Sequence, residues 1–423
     1  MMTNSQESAI SGLIDSFSSL RNEDSSEQVR HYETLVTEEL RRVHDAYRVL
    51  WDGIINRPDP LALFNQVEIR TELLDQLQSK RLPTLQRQVV SLSNALLGRS
   101  DLQAKPVSKL QLILKSLSKL DATLGKIKFA IACISPSVDP EVIRDDKDFK
   151  KLKAFTCSRL ALRIYEVTGR ICKLLETSRR FFEKSGHAFE NEPRKKTKVL
   201  AIRDACSDSI DKAIKFMNKS ELNHIQDEWQ SSINTVNISL ESFLDFVNRS
   251  PHSIEESHSI PDQEPPRSGK TSGQDHPGLS RATISVISIM KLIRLFLAKL
   301  IKASEDKETF RMVTNLSSRE LEICITMPNN LSEAIKSLVQ GLSEDPGDDR
   351  LEGIMVINQA IHHLISTPRA VLFMVDYVFV HLFNPANQPS PKIYYKAWSY
   401  EWNQLHHLAT RNFLEALRFL IPP

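Results

Sequence analysis

The sequence contains few glycines and carries almost no net charge, and each of these facts argues against some classes of protein. Only 12 of its 423 residues are glycine, so the turns that many-stranded folds need are scarce and helices are favoured. The formal net charge is +2, which argues against a general nucleic-acid binder, because such proteins carry a strong basic field. The five cysteines are odd in number and scattered, so we interpret them as small buried residues rather than redox or metal-binding residues.

The chain also lacks a long uninterrupted apolar run. Residues 284–301 contain Lys291 and Arg294, while residues 371–383 contain Asp376 and are about half the roughly 20 residues that a membrane span requires. No transmembrane segment is therefore predicted. The N-terminus has no basic region followed by an apolar run, so no secretory signal is predicted either. It has instead the pattern of a short amphipathic helix, formed by Ile10, Leu13, Ile14, Phe17 and Leu20.

The clearest pattern that is present is an apolar heptad repeat between residues 110 and 134. Two apolar positions per seven residues predict one long helix whose narrow apolar seam has to pack against partner helices. The same rhythm recurs along the chain. The sequence therefore predicts an all-α fold of long-helix, up-and-down bundles of four or five helices. The heptad positions are Leu110, Ile113, Leu117, Leu120, Leu124, Ile127, Ile131 and Ile134.

A change in composition divides the helical pattern into two parts. Residues 250–279 are rich in proline, glycine, serine and glutamate and poor in apolar residues, which is typical of a disordered linker or a long surface loop. We predict a short N-terminal helix and loop over residues 1–26 and helical bundles over residues 27–249 and 280–423. The run 371–383 suits a helix or a buried strand, and is predicted as helix because it has no strand partner.

One proline is predicted to disturb a helix. Pro83 lies inside an apolar helical pattern, where a missing backbone donor should produce a kink. Further along, the pattern indicates separate helices over residues 310–325 and 331–342.

A basic string follows Pro193 and is the sharpest local signal. Four cations in five positions, in a predicted connector, resemble a single-part nuclear localisation signal that an acidic receptor groove can bind in extended form. The alternative is a solvated loop whose cations only keep the protein soluble. The cations are Arg194, Lys195, Lys196 and Lys198.

No catalytic or cofactor-binding set emerges from residue spacing. Ser268-Gly269-Lys270-Thr271 resembles the end of a phosphate-binding loop, but Glu264 stands where that motif needs a glycine. A two-metal site in a bundle needs two Glu-x-x-His pairs on helices; one begins at Glu221, and the other falls in the predicted linker. We therefore predict a protein that is not an enzyme and that has no cofactor and no metal.

Aromatic residues cluster at the start of the last helix and admit two interpretations. Tyrosine and tryptophan are common anchors of protein interfaces, which makes Tyr395, Tyr400 and Trp402 candidate interface residues. The alternative is that the aromatic side chains belong to the core stripe of that helix, composed of Tyr394, Trp398, Leu405, Ala409, Phe413 and Leu420.

Two blocks of the sequence resemble known helical proteins. The block from Leu279 through Lys291-Leu292-Ile293-Arg294 to Ile335 is similar to the second half of the cyclin-D1-binding (Grap2 and cyclin-D-interacting) family. Residues 73–77 and 82–85 resemble a group of uncharacterised helical proteins from fungi. The resemblance implies an all-helical protein of nucleus and cytoplasm that binds cell-cycle or transcription regulators. The acidic helix-loop-helix segment of the cyclin-D1-binding family has no counterpart here, and the aromatic final helix also departs from it.

Together these patterns favour a non-catalytic helical protein that mediates protein–protein interaction, in the cytoplasm and also in the nucleus, as a nucleocytoplasmic regulator. They do not specify the partner or the oligomeric state, and no nucleic acid is expected. The alternative is a peripheral membrane bundle that binds lipid through basic helical surface. Its candidate residues are Lys105, Lys109, Lys115, Lys119 and Lys126.

Overall fold

A computed structural model describes residues 26–48, 66–98, 106–135, 146–249, 277–305, 316–343, 350–373 and 391–418. Regular structure in these ranges is helical and includes no strand, which confirms the all-α prediction. The chain folds into two compact units, Met1–Lys219 and Ser220–Pro423. Residues 1–25 of the predicted N-terminal segment and most of the predicted linker lie outside the described residues, as do residues 374–383.

Unit 1 is a bundle whose long helices, the heptad helix α4 among them, form a closed ring of contacts. Helix α4 packs between α1 and α3, while α5 packs on α1, and α6 packs on both α3 and α5. Short 3-10 turns precede and follow α5. The helices are α1 (Ser26–Arg48), α2 (Gln66–Gln76), α3 (Leu82–Leu96), α4 (Pro106–Ile134), α5 (Ala154–Ser185) and α6 (Pro193–Asn218).

The core of unit 1 follows the predicted seam. Every heptad position from Leu110 to Ile134 is at most 3% exposed, which confirms the packing prediction. On the flank of the seam, the hydroxyl of Tyr47 donates to the carboxylate of Asp121 at 2.8 Å. Arg42 donates to the same carboxylate at 2.6 Å, so a polar contact ties α1 to α4 where the seam reaches solvent.

The predicted kink near Pro83 takes the form of a π-helical turn, Leu77–Arg81, between α2 and α3. Proline has no backbone N–H, so a regular helix could not continue its hydrogen bonds through this position. A wider turn just before proline accommodates the loss. Leu77, Leu82 and Leu85 remain fully buried around it.

Unit 2 is a second helical bundle, in which α7 packs on α8 and α9, and α10 packs on α9 and α11. The packing of α8 against α11 closes the ring. Its helices are α7 (Glu221–Arg249), α8 (Pro277–Glu305), α9 (Ser318–Ser343), α10 (Arg350–Phe373) and α11 (Pro391–Arg418).

The division between the units differs from the predicted one. We predicted that residues 27–249 form the first bundle, but helix α7 belongs to unit 2 and packs on α8 and α9. An apolar stripe shows that a helix is amphipathic and does not show which neighbour covers it. The predicted break between residues 325 and 331 is also wrong, because α9 runs through Pro328 without interruption.

A buried tryptophan compensates for that proline. In a regular helix the carbonyl of Cys324 would accept a hydrogen bond from residue 328, but Pro328 has no N–H to donate. The indole Nε1 of Trp229 on α7 donates to this carbonyl at 2.7 Å instead. Trp229 is only 1% exposed, so the bond joins α7 to α9 inside the core of unit 2.

Candidate interaction surface

Helices α8 and α11 are joined by polar and aromatic contacts that define their register. The ammonium of Lys299 donates to the hydroxyl of Tyr394 at 2.9 Å, and the indole of Trp402 donates to the carbonyl of Leu292 at 2.7 Å. The ring of Phe296 lies 4.8 Å from that of Trp402 between centroids. Residue numbers fall on α8 as they rise on α11, so the two helices are antiparallel.

Large apolar side chains remain exposed beside this contact. Ile284 and Leu295 on α8 are 62% and 61% exposed, and Leu405 on α11 is 54% exposed. Tyr394 and Leu408 are also exposed and share the side of α11 that carries Leu405, because spacings of 11 and 3 residues return to one helical face. These five residues, with the cations described next, are called the α8–α11 surface.

The charge of the α8–α11 surface is predominantly positive. Its cations are exposed on α8, and none of them makes an ion pair with another described residue. Glu305, the last residue of α8, is the only carboxylate of that helix. Helix α11 adds the exposed Glu401 on the side of Tyr394. The cations are Arg281, Lys291, Arg294 and Lys302.

Polar side chains are buried on another side of α11. Asn403, His406 and Thr410 are each at most 7% exposed, and their side chains have no hydrogen-bond partner among the described residues. The ring of His406 stacks on Trp402 at 4.8 Å between centroids. Burial, with a smaller contribution from the neighbouring His407, lowers the pKa of His406 to about 4.

This histidine should make unit 2 sensitive to acid. His406 is neutral in the folded protein at pH 7, whereas in the unfolded chain its pKa returns to about 6.5. The contribution of neutral His406 to the free energy of unfolding of unit 2 is therefore fully present above pH 6.5. It is lost as the pH drops towards 4, and the loss approaches about 3 kcal/mol. Urea unfolding at pH 7 and 4.5 should show a smaller loss for His406→Leu than for the parent. The exposed His31→Leu is the control, and an equal loss in both variants would contradict the assignment.

The predicted interface residues divide between surface and core. Tyr400 is exposed and Tyr395 is half-buried, so both remain candidates. Trp402 is 3% exposed and bonded to the backbone of α8, so its assignment to an interface was wrong. The alternative core stripe was also wrong at Tyr394 and Leu405, which face solvent, and right at Ala409 and Phe413.

The basic string lies on a helix rather than in an extended connector. Pro193 occupies the first turn of α6, where its missing N–H costs nothing, and the four cations follow on that helix. Arg194 and Lys198 are exposed, whereas Lys195 is half-buried and donates to Glu192 and Ser185. The extended conformation assumed for receptor binding is therefore incorrect for the folded chain.

The lysines of the lipid-binding alternative are only partly accessible. Lys115, Lys119 and Lys126 are exposed on one face of α4. Lys109 is buried and donates to the carbonyl of His187 at 3.2 Å. Lys105 lies outside the described residues.

Among the described residues, no three histidine, cysteine or acidic side chains are placed to hold a metal ion. The five cysteines are free and buried, as predicted. Burial raises the pKa of Cys157, Cys206 and Cys324 to about 12, so these three are thiols rather than nucleophilic thiolates at pH 7. No helix in the described part of the chain is long and apolar enough to cross a membrane.

Comparison with known families supports the division at residue 219. Residues 70–218 match the Domain of unknown function (DUF8723), and residues 220–415 match the Domain of unknown function (DUF8721). The junction between the two matches coincides with the junction between the two units. No curated protein and no solved structure matches the chain. The chain is thus an all-helical protein of two bundles, each matching a different domain family.

Proposed function

We propose that the chain is a non-catalytic interaction protein, and that unit 2 binds a protein partner through the α8–α11 surface. The observation that carries the proposal is the group of exposed large apolar side chains on two adjacent helices, Ile284 and Leu295 with Tyr394, Leu405 and Leu408. Single exposed apolar residues are normal, whereas several large ones beside one helix–helix contact favour a site of association. The resemblance of residues 279–335 to the cyclin-D1-binding family points to the same kind of function.

The apolar side chains of this surface can supply part of the free energy of binding. Burying a leucine or isoleucine side chain stabilises a complex by about 1.5–3 kcal/mol. These side chains are already about half covered, so four of them supply on the order of 3–6 kcal/mol before any contribution from charge. A few anchors of this kind, ringed by polar residues, are how interfaces usually obtain their affinity.

Replacing Leu295 and Leu405 by serine should abolish partner recovery while leaving the bundle intact. Both side chains are exposed, and substitutions at exposed positions usually change stability by no more than about 0.5 kcal/mol. Affinity purification with quantitative mass spectrometry, performed on the tagged full chain, measures the effect.

The matched control is Leu162→Ser on α5 of unit 1, where the leucine is 51% exposed. It should recover the same partners as the parent. If the double variant also recovers them, with an unchanged melting temperature, the α8–α11 surface is not the binding site.

The lipid-binding alternative is less well supported at the residues first considered. Basic residues near an anionic membrane contribute about 1 kcal/mol each. The three exposed lysines of α4 would therefore supply about 3 kcal/mol, which corresponds to a dissociation constant weaker than about 1 mM. The one large apolar neighbour exposed on their face is Phe129.

We further propose that the chain occupies both cytoplasm and nucleus, with entry promoted by the basic turn of α6. Replacing Arg194, Lys196 and Lys198 by alanine should shift a fluorescent fusion towards the cytoplasm. Their side chains are exposed or half-buried at the start of the helix, so the fold should tolerate the change. The control replaces Lys115, Lys119 and Lys126, which are three cations on α4. If the nuclear fraction of the variant equals that of the parent, the basic string does not promote nuclear entry and is only a solvated start of the helix.

A further inference from the structure

We infer that the partner of the α8–α11 surface contributes an acidic amphipathic helix. The inference deepens the proposed function and rests on it, because it names the class of partner for the same surface. Two properties of the surface support it, namely the line along which its apolar side chains lie and the sign of the charges beside them.

The apolar side chains flank the line of contact between two antiparallel helices. The register set by Lys299–Tyr394 and Trp402–Leu292 places Leu405 level with residue 289 and Leu408 level with residue 286. Leu405 and Leu408 thus oppose the N-terminal half of α8, and Leu295 and Tyr394 extend the line towards its C-terminal half. A surface with anchors on both sides of such a line can take one amphipathic helix, which inserts side chains at positions i, i+4 and i+7.

The length of the surface also fits a helix. Ile284 and Leu295 are 11 residues apart on α8, which at a rise of about 1.5 Å per residue is about 16 Å. A partner helix of about three to four turns covers this distance. A single extended strand would instead require unpaired sheet edges, and no strand occurs in the described part of the chain.

The charges select an acidic partner. Arg281, Lys291, Arg294 and Lys302 have no ionic partner among the described residues. Carboxylates on the flanks of a docked helix would meet them, which favours encounter and excludes basic competitors. An anionic membrane would also meet these cations, but it would have to accommodate Glu401 beside the apolar side chains. A protein helix can instead form an ion pair with that single carboxylate through one lysine or arginine.

The experiment is a selection from a phage-displayed library of helix-forming 18-residue peptides, using the full chain as bait. We expect enriched peptides to carry apolar residues at i, i+4 and i+7 with acidic flanks, and to bind Leu295→Glu at least about tenfold more weakly. On a bait with Lys291→Glu, Arg294→Glu and Lys302→Glu, the enriched peptides should become basic. The control bait, Leu162→Glu, should enrich the same acidic peptides as the parent, and circular dichroism should show all baits folded.

Three results of the selection would overturn the inference. They are enrichment of basic or uncharged peptides on the parent, no enrichment above the Leu295→Glu background, and acidic peptides that bind Leu295→Glu as well as the parent. Sedimentation with vesicles of phosphatidylserine and phosphatidylcholine tests whether an anionic membrane binds this surface instead. Binding to these vesicles that depends on Leu295 would assign the surface to a membrane instead.

The two proposals can fail separately. If cellular partners depend on Leu295 and Leu405 but no acidic helix is selected, the partner class is wrong and the interaction function stands. If neither partners nor peptides depend on these residues, both proposals fail.

Discussion

Replacing Trp229 by alanine should lower the free energy of unfolding of unit 2 by about 3–5 kcal/mol. The side chain is almost fully buried, and its indole N–H donates to the carbonyl of Cys324. Trp229→Phe keeps most of the ring and removes the donor, so the carbonyl loses a partner that Pro328 cannot replace. That loss should cost about 1–3 kcal/mol. Urea denaturation monitored by circular dichroism measures both changes.

A double-mutant cycle tests whether the Trp229 hydrogen bond matters because Pro328 lacks an N–H. Pro328→Ala restores a backbone N–H that can reach Cys324 within the helix, so the effect of Trp229→Phe should be smaller in that background by about 1 kcal/mol. Trp402→Phe is the comparison, since its indole bonds to Leu292 on a helix without internal proline. An unchanged effect of Trp229→Phe in the Pro328→Ala background would show that Trp229 acts by packing alone.

Leu117→Ala on α4 should destabilise unit 1 by about 2–5 kcal/mol. Leu117 is fully buried at the heptad seam, and its removal leaves a cavity that neighbouring helices fill only in part. Leu124→Ala should behave alike. Leu162→Ala makes the same chemical change at an exposed position and should alter stability by no more than about 0.5 kcal/mol. Changes below about 0.5 kcal/mol at both buried positions would contradict the bundle packing of this helix.

Helix type and core could be predicted because they are local properties of the sequence. The heptad positions of α4, from Leu110 to Ile134, lie on one face of the helix. Because this face is strongly apolar, other helices have to cover it. The division of the chain could not be predicted in the same way. Helix α7 has as regular a stripe as α4, but the helices that cover its stripe are determined by packing with residues far along the chain.

Pro328 and Pro83 show where local rules need tertiary information. Proline in a helical pattern predicts a break, and near Pro83 the backbone does widen into a π turn. At Pro328 the helix continues, because a donor from α7 takes the place of the missing backbone N–H. That donor is 99 residues away in the sequence, so no window of sequence around the proline reveals it.

The candidate surface was only partly visible in the sequence. The aromatic group of α11 drew attention to one of the two helices of the candidate surface, but Trp402 is core and Tyr394 is exposed. On α8 the charged residues Lys291 and Lys302 lie at exposed positions. The exposure of Ile284 and Leu295 could not be predicted, because most positions on that helix are apolar and such a pattern alone suggests burial on most sides.

Site-specific photo-crosslinking in cells shows directly whether unit 2 meets its partner at the α8–α11 surface. A photoreactive phenylalanine analogue would be placed at Leu295, at Leu405 and, as the matched exposed position of unit 1, at Leu162. If the partner binds there, we expect discrete higher-mass adducts at Leu295 and Leu405 that contain the same partner, and none at Leu162. Adducts at Leu162 alone, or an equal pattern at all three positions, would contradict it.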